Sequence, residues 1–310
     1  MMNIVLATDD NFVQHCSVVI ASVLANNKNV FFFIFTEGLK YENEKKLKDL
    51  AVKMGGKVAI CLMEGDAVSR FPMPSFMSSH ISIATYYRLL VERALPKDIN
   101  RVIYMDCDMV VRGDLQPLYE IEMADKALGA VYQYNEWAIN TNSFERLGYD
   151  RKFGYFNAGF LLINLEYWRE HGVTDQLMSY IKENYSKIHS HDQDVLNAVL
   201  HEHVLPLSCT WNYLPSFFKK ELYTYPDFVD YSKDIINPII IHYVYKPKPW
   251  QRECKHPYKS EYYKYLDMTE YKGWRPKFVW KEYKEYTLIP IFLKFVSKVD
   301  IFRIRKLFKK

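Results

Sequence analysis

The stretch RVIYMDCDMVV, residues 101–111, places two aspartates one residue apart between two apolar runs. The apolar runs predict a buried strand, and along a strand the positions i and i+2 point to the same face. Asp106 and Asp108 are therefore expected to lie side by side. Two neighbouring carboxylates raise each other's pKa unless a positive group lies between them, and a divalent cation is the natural candidate. The stretch therefore raises the question of whether the rest of the chain supplies a reason to hold a cation there.

The segments around this stretch alternate between apolar runs and helical patterns. Strands are predicted at 4–8, 31–36, 57–63, 102–111, 128–134, 156–165 and 239–244, and helices at about 12–25, 41–54, 84–95 and 192–203. This alternation predicts an α/β domain with a largely parallel sheet. Because ligands of such sheets bind beyond the carboxyl ends of the strands, Asp9 and Asp10 are expected to face the same crevice as Asp106 and Asp108.

The bulk composition is that of a soluble globular protein, with 49% hydrophobic and 25% charged residues in 310. The five cysteines are odd in number and form no Cys-x-x-Cys pair, which argues against a disulfide framework or a zinc site and favours a reducing compartment. We find no signal-peptide pattern, and no run approaches the roughly 20 apolar residues of a membrane span. The expected location is cytoplasmic.

Positive charge is concentrated at the end of the chain, where residues 281–310 carry nine Lys/Arg against three Asp/Glu. The rest of the chain is slightly acidic, so nucleic acid is not an expected partner. On a helix, one face would carry Ile291, Phe292, Phe295, Val296, Val299 and Phe302, and the opposite face Lys294, Lys298 and Arg305, with Arg303 and Lys306 interrupting the apolar side. We therefore predict a catalytic domain over 1–280 and a basic amphipathic segment over 281–310. This segment would attach to the anionic inner face of the plasma membrane, the alternative being a terminal helix packed on the domain.

An apolar strand that ends in Asp-x-Asp is typical of two enzyme classes. In haloacid-dehalogenase-like phosphohydrolases the first aspartate, here Asp106, is the nucleophile, but that motif normally ends the first strand and three predicted strands precede it here. In nucleotide-sugar glycosyltransferases of the A-type fold, the motif binds a divalent ion on the donor diphosphate. The second class fits the order of segments better. A non-catalytic nucleotide-sugar binding module is a further alternative, which would be expected to lack the Asp-x-Asp motif, His242 or Lys248.

Six blocks in order extend this interpretation: IVLATDDNF (4–12), HISIATYYRL (80–89), VIYMDCDMVVRGDL (102–115), YFNAGFLLINLEYWR (155–169), HDQDVLN (191–197) and IHYVYKPKPW (241–250). Together they resemble glycosyltransferase family 8, in particular its bacterial lipooligosaccharide α-galactosyltransferase branch. The resemblance implies an A-type glycosyltransferase fold with a Rossmann-like nucleotide-binding half and a mixed central sheet. It also implies retaining transfer of galactose or glucose from a UDP-sugar to a saccharide acceptor of a cell-surface or lipid-linked glycan.

The resemblance assigns the metal ligands to Asp106, Asp108 and His242, and makes Lys248 a further cation at the phosphates. Two carboxylates and an imidazole suit Mn²⁺ better than Mg²⁺, which prefers oxygen ligands, although Mg²⁺ is possible.

The same resemblance implies a donor pocket around these ligands. Ala7, Asp9 and Asn11 would contact uridine, and Thr85 and Arg88 the sugar or phosphates, with Cys107, Asn157, Ala158, Asp192 and Gln193 as further donor contacts. Gln193 would lie beneath the anomeric carbon, and Asp192 would bind sugar hydroxyls. Because Gln193 is a neutral amide, two retaining routes stay open: front-face attack, which we favour, and a covalent intermediate on Asp194.

Two further donor-pocket positions depart from the family branch. Gln133 stands where the branch has an aspartate near the reactive face of the sugar, and Tyr245 stands where it has a glycine that contacts the diphosphate. Since glucose and galactose differ in the orientation of one hydroxyl, these changes leave the donor sugar open.

Overall fold

The computed structural model describes residues 1–63, 83–133, 142–218, 229–232 and 237–298. Its strands are β1 Met2–Ala7, β2 Val30–Thr36, β3 Lys57–Leu62, β4 Arg101–Met105, β5 Met109–Val111, β6 Leu128–Tyr132, β7 Phe156–Asn164, β8 Val204–Pro206 and β9 Ile240–His242. Its α-helices are α1 Val13–Asn26, α2 Tyr41–Lys53, α3 Val91–Ala94, α4 Gln116–Tyr119, α5 Ser143–Leu147, α6 Leu165–Glu170, α7 Val173–Asn184, α8 His191–Leu200, α9 Lys259–Leu266, α10 Trp280–Tyr283 and α11 Ile289–Lys298. Short 3₁₀ turns lie at Ile83–Leu90, Arg151–Phe153, Tyr185–Lys187, Cys209–Trp211 and Pro215–Phe218, and a π turn at Lys284–Leu288.

Seven strands form the main sheet in the order β3-β2-β1-β4-β7-β6-β8. β3, β2, β1 and β4 are parallel to one another, β7 is antiparallel to both β4 and β6, and β8 is parallel to β6. The predicted α/β class with a mixed central sheet is confirmed, while the largely parallel arrangement holds for the first four strands in this order. The apolar strands are buried at nearly every position, as expected for a sheet covered on both faces.

The predicted continuous strand over 102–111 is wrong, because the chain changes sheets at the two aspartates. β4 belongs to the main sheet, whereas β5 pairs with β9 in a separate antiparallel ribbon in which Met109 lies opposite His242. The Asp106 N–H donates to the Gly159 carbonyl at 2.8 Å on the main-sheet side, and the Asp108 carbonyl accepts from the Tyr243 N–H at 2.9 Å on the ribbon side. The aspartates thus form a turn, and this turn places His242 next to them.

Two predicted helices differ from the observed ones. The helix predicted at 84–95 is a 3₁₀ turn followed by the short α3, and residues 80–82 of that family block lie outside the described residues. The C-terminal helix α11 runs to Lys298, and the predicted amphipathic face beyond it, residues 299–310, also lies outside them. Within the described ranges, every helix is too short or too polar to cross a bilayer.

Candidate active site

Three side chains from distant parts of the sequence converge at the β4–β5 turn. Asp106, Asp108 and His242 each offer a ligand atom, and these atoms lie within 4.8 Å of one another. Asp108 Oδ1 lies 3.1 Å from His242 Nε2, and Asp108 Oδ2 lies 2.6 Å from the Lys248 ammonium. The structure therefore brings together the three predicted metal ligands and the predicted additional cation.

The hydrogen bond to His242 Nδ1 determines the tautomer of this imidazole, and therefore whether Nε2 carries a lone pair toward the aspartates. The Asn212 amide nitrogen donates to Asn157 Oδ1 at 2.9 Å, so the Asn212 oxygen accepts from His242 Nδ1, also at 2.9 Å. In the neutral imidazole, His242 Nε2 then faces Asp108 Oδ1 with its lone pair, so this buried oxygen receives no hydrogen bond from the ring. Two acceptors at this distance repel each other unless a cation lies beside both, so the donor set fits a divalent ion.

Gly159 allows the ligands to approach one another. A Cβ atom at this position would lie 2.4 Å from His242 Cε1 and 2.7 Å from Asp106 Oδ2. Any side chain here would displace both groups, because neither contact distance is sterically allowed. A glycine inside a strand often marks such a close approach, so the FNAG block carried a signal for this residue that our sequence analysis missed.

The two aspartates of the turn have different electrostatic surroundings. Burial raises the pKa of Asp106, and the Arg88 guanidinium, 2.8 Å from Oδ1, lowers it only in part. Burial also acts to raise the pKa of Asp108, but the Lys248 ammonium outweighs it and holds this pKa well below its ordinary value. Asp108 is thus the permanently charged member of the pair, with a cation of the protein already beside it.

Arg88 connects the metal ligands to the helix that carries Gln193. Its guanidinium bonds Asp106 Oδ1 at 2.8 Å and Asp192 Oδ2 at 2.9 Å, and it lies over the Tyr104 ring with 4.3 Å to the centroid. It is only 5% exposed, so a helix-surface salt bridge is excluded. Burial raises the pKa of Asp192 to about 7 even though Arg88 acts to lower it. Arg88 therefore holds two acidic groups of the site in place.

Two cavities meet at the β4–β5 turn. One of about 230 Å³ is lined by Ala7, Thr8, Asp9, Phe12, Ala84, Thr85, Arg88, Tyr104, Asp106, Cys107 and Asp108. The other, of about 570 Å³, is lined by Thr85, Arg88, Asp106, Asp108, Asn157, Ala158, Gly159, His189, Ser190, His191, Asp192, Gln193, His242 and Val244. The four residues common to both are Thr85, Arg88, Asp106 and Asp108. We call the first the nucleoside cavity and the second the sugar cavity, after the donor parts that the sequence predicts there.

The nucleoside cavity contains most of the predicted uridine contacts. Asp9 Oδ1 accepts from the backbone N–H groups of Asn11 at 2.8 Å and Phe12 at 3.1 Å, which forms the turn that begins α1. Asn11 itself is exposed and lines a different cavity, beside Trp250. Phe12, which is 41% exposed and lines the nucleoside cavity, was missed in the sequence, although its flat ring suits a nucleobase.

The sugar cavity contains an amide network centred on Gln193. Its Oε1 accepts from the Asn157 amide at 3.1 Å and from the Ala158 N–H at 3.0 Å. The Asn157 amide also donates to Gln133 Oε1 at 3.3 Å, which places Gln133 behind the cavity wall. The structure therefore brings these four predicted residues together and fixes the orientation of the Gln193 amide.

Five predicted residues line neither cavity: Asn11, Gln133, Asp194, Tyr245 and Lys248. Asp194 is fully buried, and its carboxylate accepts from Tyr155 Oη at 2.7 Å, Arg146 Nη1 at 3.0 Å and the N–H groups of His189 and Ser190. Tyr245 is 62% exposed at the rim. Lys248 belongs to the site through Asp108, and its ammonium also donates to the carbonyls of Tyr243 and Val244.

Comparison with known proteins agrees with this geometry. Residues 3–254 match the model of the family described as glycosyl transferase family 8. The chain is 30% identical over 280 residues to "General stress protein A" of Bacillus subtilis (strain 168), an alignment covering 87% of this chain and 95% of that one. It is 28% identical over 274 residues to "Lipopolysaccharide 1,3-galactosyltransferase" of Salmonella typhimurium, an alignment that covers 84% of this chain and 76% of that one.

A solved structure supports the same assignment. The galactosyltransferase LgtC in complex with donor and acceptor sugar analogs superposes with a TM-score of 0.76 at 26% identity, over 92% of this chain and 100% of that one. The A-type fold predicted from the sequence is thereby confirmed, and a phosphohydrolase is no longer favoured. The chain, with its Asp-Asp-His cluster at the junction of two cavities, is a hexosyltransferase that belongs to glycosyltransferase family 8.

Proposed function

We propose that this enzyme transfers galactose or glucose from a UDP-sugar to a saccharide acceptor, with retention of configuration and with Mn²⁺, or alternatively Mg²⁺, at the Asp106, Asp108 and His242 cluster. The observation that carries the proposal is the pair of facing acceptors, His242 Nε2 and Asp108 Oδ1, 3.1 Å apart at the junction of the two cavities. A cation there would neutralise charge on the departing diphosphate. The relatives named as lipopolysaccharide galactosyl- and glucosyltransferases support a hexose donor and a cell-surface glycan as acceptor.

The residues around the Asp-Asp-His cluster would bind the donor and orient it. Phe12 offers a flat apolar face to the base, while Asp9 lines the same cavity and provides an acceptor edge. Asp192 provides a carboxylate beside the sugar, and its link to Arg88 keeps it in position. The Gln193 amide is held by two donors to its oxygen, so it presents a fixed dipole to the cavity.

The surroundings of Asp194 support front-face attack over a covalent intermediate. A nucleophilic carboxylate must reach the anomeric carbon, yet both Asp194 oxygens already accept hydrogen bonds and the residue lines neither cavity. In the front-face route the acceptor hydroxyl attacks from the side of the leaving group and passes its proton to the departing phosphate oxygen. That route requires no carboxylate below the sugar.

A donor screen tests the proposal. UDP-galactose, UDP-glucose and their N-acetyl forms would be incubated with the full chain and Mn²⁺, and UDP release measured without acceptor. We expect slow hydrolysis of at least one hexose donor, complete dependence on the divalent ion, and an α-configured product by NMR when a saccharide acceptor is added. Equal turnover in EDTA, or release of inorganic phosphate instead of UDP, would contradict the proposal.

We also propose the predicted division into a catalytic domain over 1–280 and a membrane-attaching segment over 281–310, on the cytoplasmic side of the plasma membrane. Exposed apolar side chains on α11, namely Ile289, Ile291 and Leu293, support attachment, together with the positive charge of this part of the chain. Deleting residues 286–310 should reduce binding to anionic liposomes and leave acceptor-free UDP release unchanged. Undiminished liposome binding of the shortened chain would refute the attachment.

A further inference from the structure

A third cavity, of about 400 Å³, lies beside the start of α1 and is separate from the nucleoside and sugar cavities. Its lining includes two indoles, two glutamines, one ammonium and one carboxylate: Trp250, Trp274, Gln14, Gln251, Lys277 and Glu282. We call it the tryptophan cavity. Its volume is within the range of small-molecule sites, and apart from Asn11 none of its lining residues has a role in the proposed donor pocket.

The charge of the lining favours a neutral ligand. Lys277 and Glu282 carry opposite charges, and burial lowers the pKa of the lining residue His15 to about 3, so this imidazole is neutral at pH 7. The other polar groups are amides, which both donate and accept hydrogen bonds. Such a surface offers no net attraction to a phosphate or a metal ion, whereas it can hydrogen-bond hydroxyl groups.

The aromatic side of the cavity is held rigidly. The Trp250 ring stacks on His15 with centroids 3.7 Å apart and an angle of 22° between the planes. His15 Nδ1 in turn lies 2.8 Å from Tyr262 Oη, which fixes the imidazole. A rigid indole beside amides is suited to a sugar ring, because the apolar C–H face of the ring packs on the indole while its hydroxyls reach the amides.

The tryptophan cavity also lies close to the donor site. Phe12 lines the nucleoside cavity, and its ring packs edge-on against Trp250 with centroids 6.0 Å apart. Gln251 accepts from the Lys248 N–H at 2.7 Å and donates to Glu282 at 3.0 Å, so one side chain joins Lys248 to the far wall of the cavity. A glycan bound here would therefore lie next to the enzyme's reaction centre but outside it.

We propose that the tryptophan cavity is a second saccharide-binding subsite, which holds a neutral part of the acceptor glycan remote from the hydroxyl that reacts. Its assignment to the acceptor rests on the function proposed above, whereas saccharide binding itself does not. Binding energy from a remote part of a substrate helps to position the reacting part.

The test measures binding of lactose, maltose and cellobiose to the full chain by tryptophan fluorescence and by saturation-transfer NMR, with UDP and Mn²⁺ present. We expect Trp274→Ala to weaken binding of at least one disaccharide about tenfold and Trp274→Phe to retain most of it, because an aromatic face is kept. Trp280→Ala is the matched control, since this indole is 62% exposed but does not line the cavity. It should bind like the wild type.

Three results would overturn the subsite. They are absence of disaccharide binding to the wild type, equal affinity in Trp274→Ala and wild type, and an equal loss in the Trp280→Ala control. Acceptor-free UDP release is measured in parallel and should be the same in all four proteins. If the wild type releases no UDP but the disaccharide pattern is as expected, the proposed function fails while the saccharide site stands.

Discussion

The chain contains the pattern Asp-x-Asp at two places in the active-site region, and the two have different structures. At the β4–β5 turn, Asp106 and Asp108 offer ligand atoms to the same point together with His242. In the first turn of α8, Asp192 pairs with Arg88, whereas Asp194 pairs with Arg146. Residues two apart on a helix differ by about 200° in direction, so these two carboxylates serve different neighbours.

The backbone that carries an acidic pair determines what the pair can bind. Where the chain leaves one sheet for another, both carboxylates turn toward the same side and can share an ion. On a helix the same spacing gives one residue that faces the sugar cavity and one that fixes the preceding loop. In solution, substitutions in the two pairs should therefore have different effects.

The largest effect on activity is expected from removing one negative charge from the pair at the β4–β5 turn. Asp108→Asn should lower Mn²⁺-dependent UDP release at least about 300-fold. The substitution removes a carboxylate that would hold the cation beside the departing diphosphate, where negative charge develops. Release is measured over a Mn²⁺ series. The control is Asp125→Asn, whose side chain is 81% exposed and lines neither cavity. Less than tenfold loss in Asp108→Asn, or a matching loss in the control, would contradict the metal role.

A smaller but still large effect is expected from crowding the same site without changing its charge. Gly159→Ala should weaken Mn²⁺ binding about fiftyfold, because the added methyl displaces His242 and Asp106. Binding is followed by the electron paramagnetic resonance signal of free Mn²⁺. Gly113→Ala is the control, since its Cβ would meet only the Ile239 side chain, at 3.3 Å. Unchanged Mn²⁺ affinity of Gly159→Ala would show that the ligands do not converge as described.

In the helical pair, substitution of Asp194 should lower the stability of the fold and leave the rate of UDP release nearly unchanged. Asp194→Asn should lower the free energy of unfolding by about 2 kcal/mol, because Arg146 and the 189–190 loop lose a buried charged acceptor. Denaturant titration measures the change, and UDP release is normalised to folded protein. Normalised release near the wild-type value is expected. A residual activity near zero in a stably folded variant would instead favour Asp194 as a nucleophile.

A last effect is expected in the pH dependence of stability, and it concerns the other member of the helical pair, Asp192. Burial raises the pKa of Asp192 to about 7, so below the unfolded-state value near 4 the group is protonated in both states. As pH rises from about 4 to 7 the unfolded chain releases this proton first, and stability should fall relative to Asp192→Asn, by at most about 4 kcal/mol. Parallel unfolding curves of the two proteins across this range would show that Asp192 ionises normally.

Much of the fold could be predicted because its apolar runs are long and regularly separated by helices. The direction of β7 could not, since a strand such as Phe156–Asn164 that is buried on both faces carries no pattern that indicates its orientation. The break at Asp106 and Asp108 was also hidden, because apolar residues continue on both sides of it. β8, with three residues, is too short for periodicity to detect.

The convergence of the candidate metal ligands could be predicted from the order of the motifs, but the residues that support them could not. Asn212 sets the hydrogen bonding of His242 from a segment without any sequence motif, and the contact is made only in the folded chain. Gly159 and Phe12 lay within the quoted blocks and carried readable signals. The tryptophan cavity draws on residues from 11 to 282, so no local pattern indicates it.

The β5–β9 ribbon joins two parts of the chain that are synthesised at different times. The aspartates emerge from the ribosome before the strand that carries His242 and before Lys248. A nascent chain that ends before β9 therefore lacks the imidazole of the Asp106, Asp108 and His242 cluster, so any ion held there depends on both sheets at once.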